Sequence, residues 1–139
     1  MLESLATGTE PELVELDRAG CLRLLATAEI GRVVFSHHAM PAAHPVAYVL
    51  DGEEIVFRTG GGSTLAAAAR NAVVGFQTDR IDPGTRTGWS VLAVGESYEV
   101  TEPRRLAALR ERLPEPWAPG RTGHTLSIPA QHLTGRRIG

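Results

Sequence analysis

The chain has 139 residues, 42% hydrophobic and 22% charged, a balance that describes one globular domain large enough to bury a real core. A net charge of −2 supplies no basic field for nucleic acid, and no apolar run approaches the roughly 18 residues of a membrane span. One cysteine, Cys21, excludes an internal disulfide framework, and the absence of lysine among the 14 basic residues excludes Schiff-base lysine chemistry and a Walker-type phosphate loop.

The amino-terminal residues lack the basic-then-apolar pattern of a signal peptide, so a cytoplasmic location is expected. Residues 1–12 are polar and broken by Gly8 and Pro11. The loose arm they begin is read as residues 1–15, and residues 16–139 as the single domain. Asp17 is placed to cap a helix whose Cys21, Leu22, Leu24, Leu25 and Ala28 recur at helical spacing. Gly31 closes that helix and opens a strand over 32–36. The histidine-, alanine- and proline-rich stretch HHAMPAA reads as a loop, and 44–50 as the second strand. Asp51-Gly52 is a hairpin turn signal leading to a return strand over 54–59.

An alanine-rich segment over 63–70 predicts a short helix, followed by a strand over 72–78 and a turn cluster over 79–88. A long strand over 89–100 contains Gly95, expected as a bulge or bend. Thr101 is the expected cap of a helix bearing Leu106, Leu109 and Leu113, which the stretch PEPWAPG breaks. The last strands are read over 124–128 and 133–138. Six or seven antiparallel strands with short flanking helices make a mainly β protein, a small barrel rather than a doubly wound sheet. Stretches such as AVVGF and SVLAV are apolar on both alternating faces. A small solvated barrel has one polar face, so its outside is expected to be covered, by a second copy in a homodimer or by the chain's own helices.

The sequence FRTGGGSTLAAAAR raises the functional question. Gly60, Gly61 and Gly62 let the backbone approach a ligand closely, and a helix start attracts anions. Ser63 can cap that helix or donate its hydroxyl, and Arg58 can add a charge-assisted hydrogen bond. The same residues also describe an ordinary flexible turn with a serine cap.

The order of elements bears on this choice through a resemblance. CLRLLATAEIGRVVFS, HPVAYVLDGEEIVFRT, GGGSTLAAAARNAVVGFQTD, GWSVLAVGESYEV and the terminal TGRRI follow one another over about residues 16 to 138. In that order they resemble the pyridoxamine 5′-phosphate oxidase-like, flavin-binding split-barrel family, in particular its short actinobacterial-type members and the related nitroimidazole-resistance reductases. The resemblance implies a split β-barrel homodimer that binds FMN in clefts at the subunit interface. By position it places His44, Pro45 and Val46 along the isoalloxazine ring, and Arg58 and Thr59 near the ribityl phosphate. Ser63 and Thr64 fall at the phosphate, and Gln77, Trp89, Ser90 and Val91 border the ring or ribityl chain, some from the facing subunit.

One position departs from the pattern. Relatives commonly carry lysine after the serine of this turn, where this chain has Thr64. The phosphate is then left with Arg58, the helix end, hydroxyls, and Arg70 or an arginine from elsewhere. The deazaflavin F420 is the alternative cofactor. The implied function is an FMN-dependent oxidoreductase passing electrons or hydride between reduced nicotinamide and a small oxidised substrate, with no acid–base catalytic residue. The alternative is a non-catalytic dimeric module binding flavin, F420 or haem.

Other residues carry less. His37, His38 and His44 match no standard metal spacing, and no metal site is assigned. Cys21 reads as core, and Arg104, Arg105, Arg110 and Arg112 as the solvated face of their helix. His124 and His132 show no evident partner. Trp117 must pack on something: the flavin cleft, the dimer interface or the core.

Overall fold

The computed structural model describes residues 13–60, 64–114 and 122–139. Its elements in chain order are β1 (Leu13–Leu16), α1 (Arg18–Thr27), β2 (Ile30–His37), β3 (Met40–Asp51), β4 (Glu54–Gly60) and α2 (Thr64–Ala69). They continue with β5 (Val73–Asp82), β6 (Thr87–Glu96), β7 (Tyr98–Glu99), α3 (Pro103–Arg110), β8 (Thr122–Pro129) and β9 (His132–Ile138). Every pairing is antiparallel, and the strands lie in the order β1-β9-β6-β5-β2-β3-β4-β8-β7. Only Ser97 separates β6 from β7, so one run of chain borders both β5 and β8 and closes the sheet into a barrel. Strands β9 and β1 extend the sheet beyond β6.

Nine strands stand among the described residues, against six or seven expected. The long strand over 89–100 divides at Ser97, and residues 13–15, assigned to the arm, lie in an edge strand paired with β9 from Leu16↔Gly135 to Leu13↔Ile138. Pairing also runs further into the turns than the sequence indicates. HHAMPAA is no loop: β2 and β3 pair out to His37↔Met40, and the turn between them holds His38 and Ala39 at φ 51° and 63°. The 79–88 cluster shrinks to a hairpin tip beyond Asp82↔Thr87, where the Asp82 carboxylate accepts from the Gly84 N–H at 2.8 Å.

Strand alternation sorts the side chains. In β2, Val33 and Phe35 are buried while Arg32 and Val34 are exposed, the two-residue period of a half-buried strand. The barrel interior is filled by Phe57, Phe76, Ile55, Val91, Leu126 and Ile128, and α1 adds Cys21 and Leu25 to the same core. Asp17 caps α1 as expected, accepting from the Gly20 N–H at 2.8 Å. The Tyr48 hydroxyl donates to the Leu25 carbonyl at 2.6 Å, fixing the helix to β3. A second apolar cluster lies outside the barrel, where Leu109 and Leu113 cover Val56 and Val100. That cover explains why Ile55, Val56 and Phe57 are all apolar and all buried. The cap of α3 is Glu102 rather than Thr101, because its longer carboxylate accepts from both the Arg104 and Arg105 N–H groups.

Gly95 is not a bulge. Register with β5 runs unbroken through Val74↔Gly95, and a Cβ there would stand 1.8 Å from the Pro129 carbonyl oxygen. The glycine permits the close crossing of β6 and β8 at which the barrel closes. Gly95→Ala is therefore expected to destabilise the fold by about 3 kcal/mol, the upper range for forced overpacking. Chemical denaturation measures this, and an unchanged midpoint would contradict it.

Burial pushes the Tyr48 phenol from its ordinary 10 up to about 12. The folded state thus holds the phenolic proton more tightly than the unfolded chain. The resulting stability is complete below pH 10 and is lost as pH rises through about 12. Tyr48→Phe should lower stability near neutrality by about 1 kcal/mol and flatten the alkaline fall. Denaturation midpoints taken from neutral to alkaline pH test both, and an equally steep fall in the variant would count against this role.

Candidate functional site

The outer face of the barrel is set by the same alternation. One row across five strands runs Pro45↔Arg32↔Gln77↔Leu92↔Thr134, and its neighbour runs Ala43↔Val34↔Gly75↔Val94↔His132. The second row is small or apolar for four of its five places. Exposed Ile30, Val34, Val73 and Leu92 make this face unusually apolar for a solvated sheet. Polar groups cross it in a chain: Arg32 donates to Gln77 at 3.4 Å, and the Gln77 amide donates to Asp79 at 2.7 Å and to Ser90 at 3.3 Å.

The residues singled out from the sequence divide by side. Pro45, Arg58, Gln77 and Ser90 are outward, and Thr64 is exposed at the start of α2. Val46, Thr59, Trp89 and Val91 are buried, so a ligand on the outer face meets only their backbone. His44 is half-buried, with its ring edge-on to Phe35 at 5.0 Å. Ser63, Gly61, Gly62 and Trp117 lie outside the described residues. Gln77 and Ser90 meet each other, but β2 lies between Gln77 and Pro45, about 10 Å at the spacing of paired strands. Arg58, on β4, is one strand further round. The outward residues form two groups within one chain.

His124 does have partners. Its Nδ1 is 2.8 Å from the Glu99 carboxylate, and Arg70, just past α2, places Nη2 3.2 and 3.0 Å from the two ring nitrogens. Arg70 Nε is also 3.4 Å from Glu99. The β7–β8 pairing that assembles this cluster joins residues far apart in sequence, and no local pattern announces it. Arg58 stands beside it, because Thr59 pairs with His124 and Arg58 with Thr125. The Arg58 guanidinium also reaches the Arg110 carbonyl at 3.5 Å.

Comparison with known proteins agrees with this architecture. The family model for pyridoxamine 5′-phosphate oxidase matches residues 17–137. The chain belongs to the pyridoxamine 5′-phosphate oxidase family. An uncharacterized protein of Mycobacterium tuberculosis is 37% identical over 132 residues, covering 91% of this chain and 86% of that protein. A putative pyridoxamine 5′-phosphate oxidase from Corynebacterium glutamicum superimposes with a TM-score of 0.77 at 25% identity, covering 91% of this chain and 92% of the other. An FAD-binding protein from Mycobacterium smegmatis gives a TM-score of 0.72 at 25% identity, covering 91% and 98%.

In this family member α3 is fastened by ions rather than simply solvated. Arg105 donates to Asp51 and Glu54, each at 3.1 Å, and also to the Tyr98 hydroxyl. Arg112 reaches Asp51 at 3.3 Å and the Leu50 carbonyl at 2.7 Å. The Glu54 carboxylate accepts from Tyr98, from Ser127 at 2.6 Å and from Arg105. Burial opposes its charge, but the hydrogen bonds from Ser127, Tyr98 and Arg105 outweigh burial and hold Glu54 below the usual carboxylate range. Among the described residues no group of three His, Cys, Asp or Glu side chains is placed to hold a metal ion, and no helix is long and apolar enough to cross a membrane.

The depressed Glu54 value makes a stabilising contribution that is present above the ordinary value of 4.5 and lost as pH falls through the folded one. Glu54→Gln should therefore flatten the acid limb of the stability curve. Thermal melts from neutral pH into acid measure this. An acid limb as steep as the parent's would show that the carboxylate carries no such linkage.

Proposed function

We propose that this protein binds a flavin on the outer face of its barrel, between two copies of the chain, and acts as an oxidoreductase. The observation that carries the reading is Arg58, outward on β4 two residues before the glycine run of the sequence, in a barrel whose outer face is apolar. Ala43, Pro45 and Val34 offer a low floor suited to a flat aromatic ring, and Arg58 offers a cation suited to its phosphate. FMN is the expected cofactor, and FAD binding by the mycobacterial relative supports a flavin of either length.

The two outward groups also fit a shared site. One copy contributes Pro45 and Arg58, and Gln77 and Ser90 of the same face serve the site formed with the other copy. Exposed Ile30, Val34 and Leu92 would be buried in that assembly.

When bound, the flavin supplies the two-electron chemistry. The chain's part is to hold the phosphate through Arg58, to keep water from the ring with Pro45 and its apolar neighbours, and to orient the polar edge through Gln77. Electrons would come from reduced nicotinamide and leave to a small oxidised acceptor. Thr64, in place of a phosphate-binding lysine, favours one second reading, a dimeric carrier of flavin, F420 or haem without turnover.

Visible absorption decides between them. The proposed oxidoreductase takes up flavin, loses its visible bands on addition of NADH or NADPH, and regains them with a quinone or nitro acceptor. Bands that persist with both donors would contradict the nicotinamide-linked reading. Arg58→Ala should weaken FMN binding about tenfold or more and leave riboflavin binding unchanged, since riboflavin has no phosphate. Equal losses for both ligands would remove Arg58 from the phosphate.

A further inference from the structure

The turn that joins β2 to β3 gathers three metal-ligating side chains. His37 and Met40 are Cα partners on either side of it, so their side chains leave the hairpin on the same face, about 5 Å apart at Cβ. His38 follows His37 directly, and in extended backbone its ring would point to the opposite face. The backbone at His38 is left-handed instead, with φ 51°, and the two imidazole rings stand 4.1 Å apart between centroids.

Folding alone accounts poorly for this turn. A two-residue hairpin loop with positive φ at both places is ordinarily Asn-Gly or Asp-Gly, whereas here it is His38-Ala39, at 51° and 63°. Left-handed backbone in residues that carry a side chain is costly and collects at functional sites. Among the described residues, no hydrogen bond or ion pair engages a ring nitrogen of His37 or His38. Met40 is 68% exposed at the same tip, so its sulfur is open to a ligand.

We infer that His37, His38 and Met40 hold a monovalent copper ion. Imidazole suits several transition metals, and the thioether narrows the choice. Soft sulfur of this kind selects Cu(I), whereas zinc takes imidazole, thiolate or carboxylate. No acidic residue occurs from Ser36 to Tyr48 to add a hard oxygen ligand. The donor set is therefore neutral and soft, as a singly charged soft ion requires. Met40 has three rotatable side-chain bonds, which let its sulfur reach the imidazoles without movement of the strands. His44 is not part of the set, because its ring lies edge-on to Phe35 further along β3. The inference uses none of the residues assigned to flavin and stands without it.

Anaerobic titration of the purified protein with Cu(I), in competition with the chelator bicinchoninate, tests this. The parent should withdraw one Cu(I) per chain from the chelator. Met40→Leu removes the sulfur at an exposed position, and His38→Asn removes an imidazole while keeping a residue that tolerates left-handed backbone. Each should weaken Cu(I) at least about tenfold, since loss of an outer partner of a metal ligand already costs that much. X-ray absorption of the copper-loaded parent should show nitrogen and sulfur neighbours, with the sulfur lost in Met40→Leu. Failure to withdraw Cu(I), or affinities in both variants equal to the parent's, overturns the inference. A Zn(II) affinity that falls with Met40→Leu as far as that for Cu(I) would contradict the choice of metal.

Discussion

The structure depends on one crossing. β6 passes β8 so closely at Gly95 that no side chain fits against the Pro129 carbonyl, and the chain then turns at Ser97 to pair with β8 as β7. That passage converts an open antiparallel sheet into a barrel with a distinct inside and outside. The inside takes the aromatic and branched residues, and α1 joins them through Cys21, Leu25 and the Tyr48 hydrogen bond. Once the inside is full, every alternate residue must face outward, whether polar or not. The apolar outer rows thus follow from closure acting on a sequence with apolar residues in both registers.

The division into faces also organises function. A ligand cannot enter a core packed with Phe57, Phe76 and Val91, so any ligand must sit outside. There Arg58 lies between two surfaces, the apolar rows and a cleft between α3 and the β7–β8 pair. The helix forming that cleft is held by Arg105 and Arg112 to carboxylates on β3 and β4. Such bonds are worth little individually at a surface. Here several converge on Asp51 and Glu54 and fix one helix against one hairpin. The cleft wall is therefore positioned by the same strands that carry Arg58.

Much of this was legible in the sequence, and the limits have physical causes. The family resemblance and the barrel rested on strand order, and Asp17 announced its helix by spacing alone. Two turns are shorter than local residue preference indicates, because pairing extends into them from the long strands on either side. His38 and Ala39 accept left-handed backbone because β2 and β3 pair on both sides of them. Gly95 carries the signal of a bulge, but its reason is a carbonyl 34 residues away, at Pro129, which no local window contains. In the candidate site, the resemblance named residues without their facing. Alternation separates outward Pro45 and Ser90 from their buried neighbours Val46, Trp89 and Val91. The Arg70–His124–Glu99 cluster is made by strand pairing and chain reversal, so it becomes visible only in three dimensions.

We propose that the apolar outer face joins two copies of the chain around flavin. Sedimentation velocity, followed simultaneously in the protein and visible flavin bands, tests it directly. Flavin held between two copies requires a dimer carrying one flavin per chain, and dissociation with release of the flavin when a charge is placed on the face, as in Val34→Glu. A flavin that sediments with a monomer, or a Val34→Glu protein that keeps both its flavin and its dimeric mass, would contradict it.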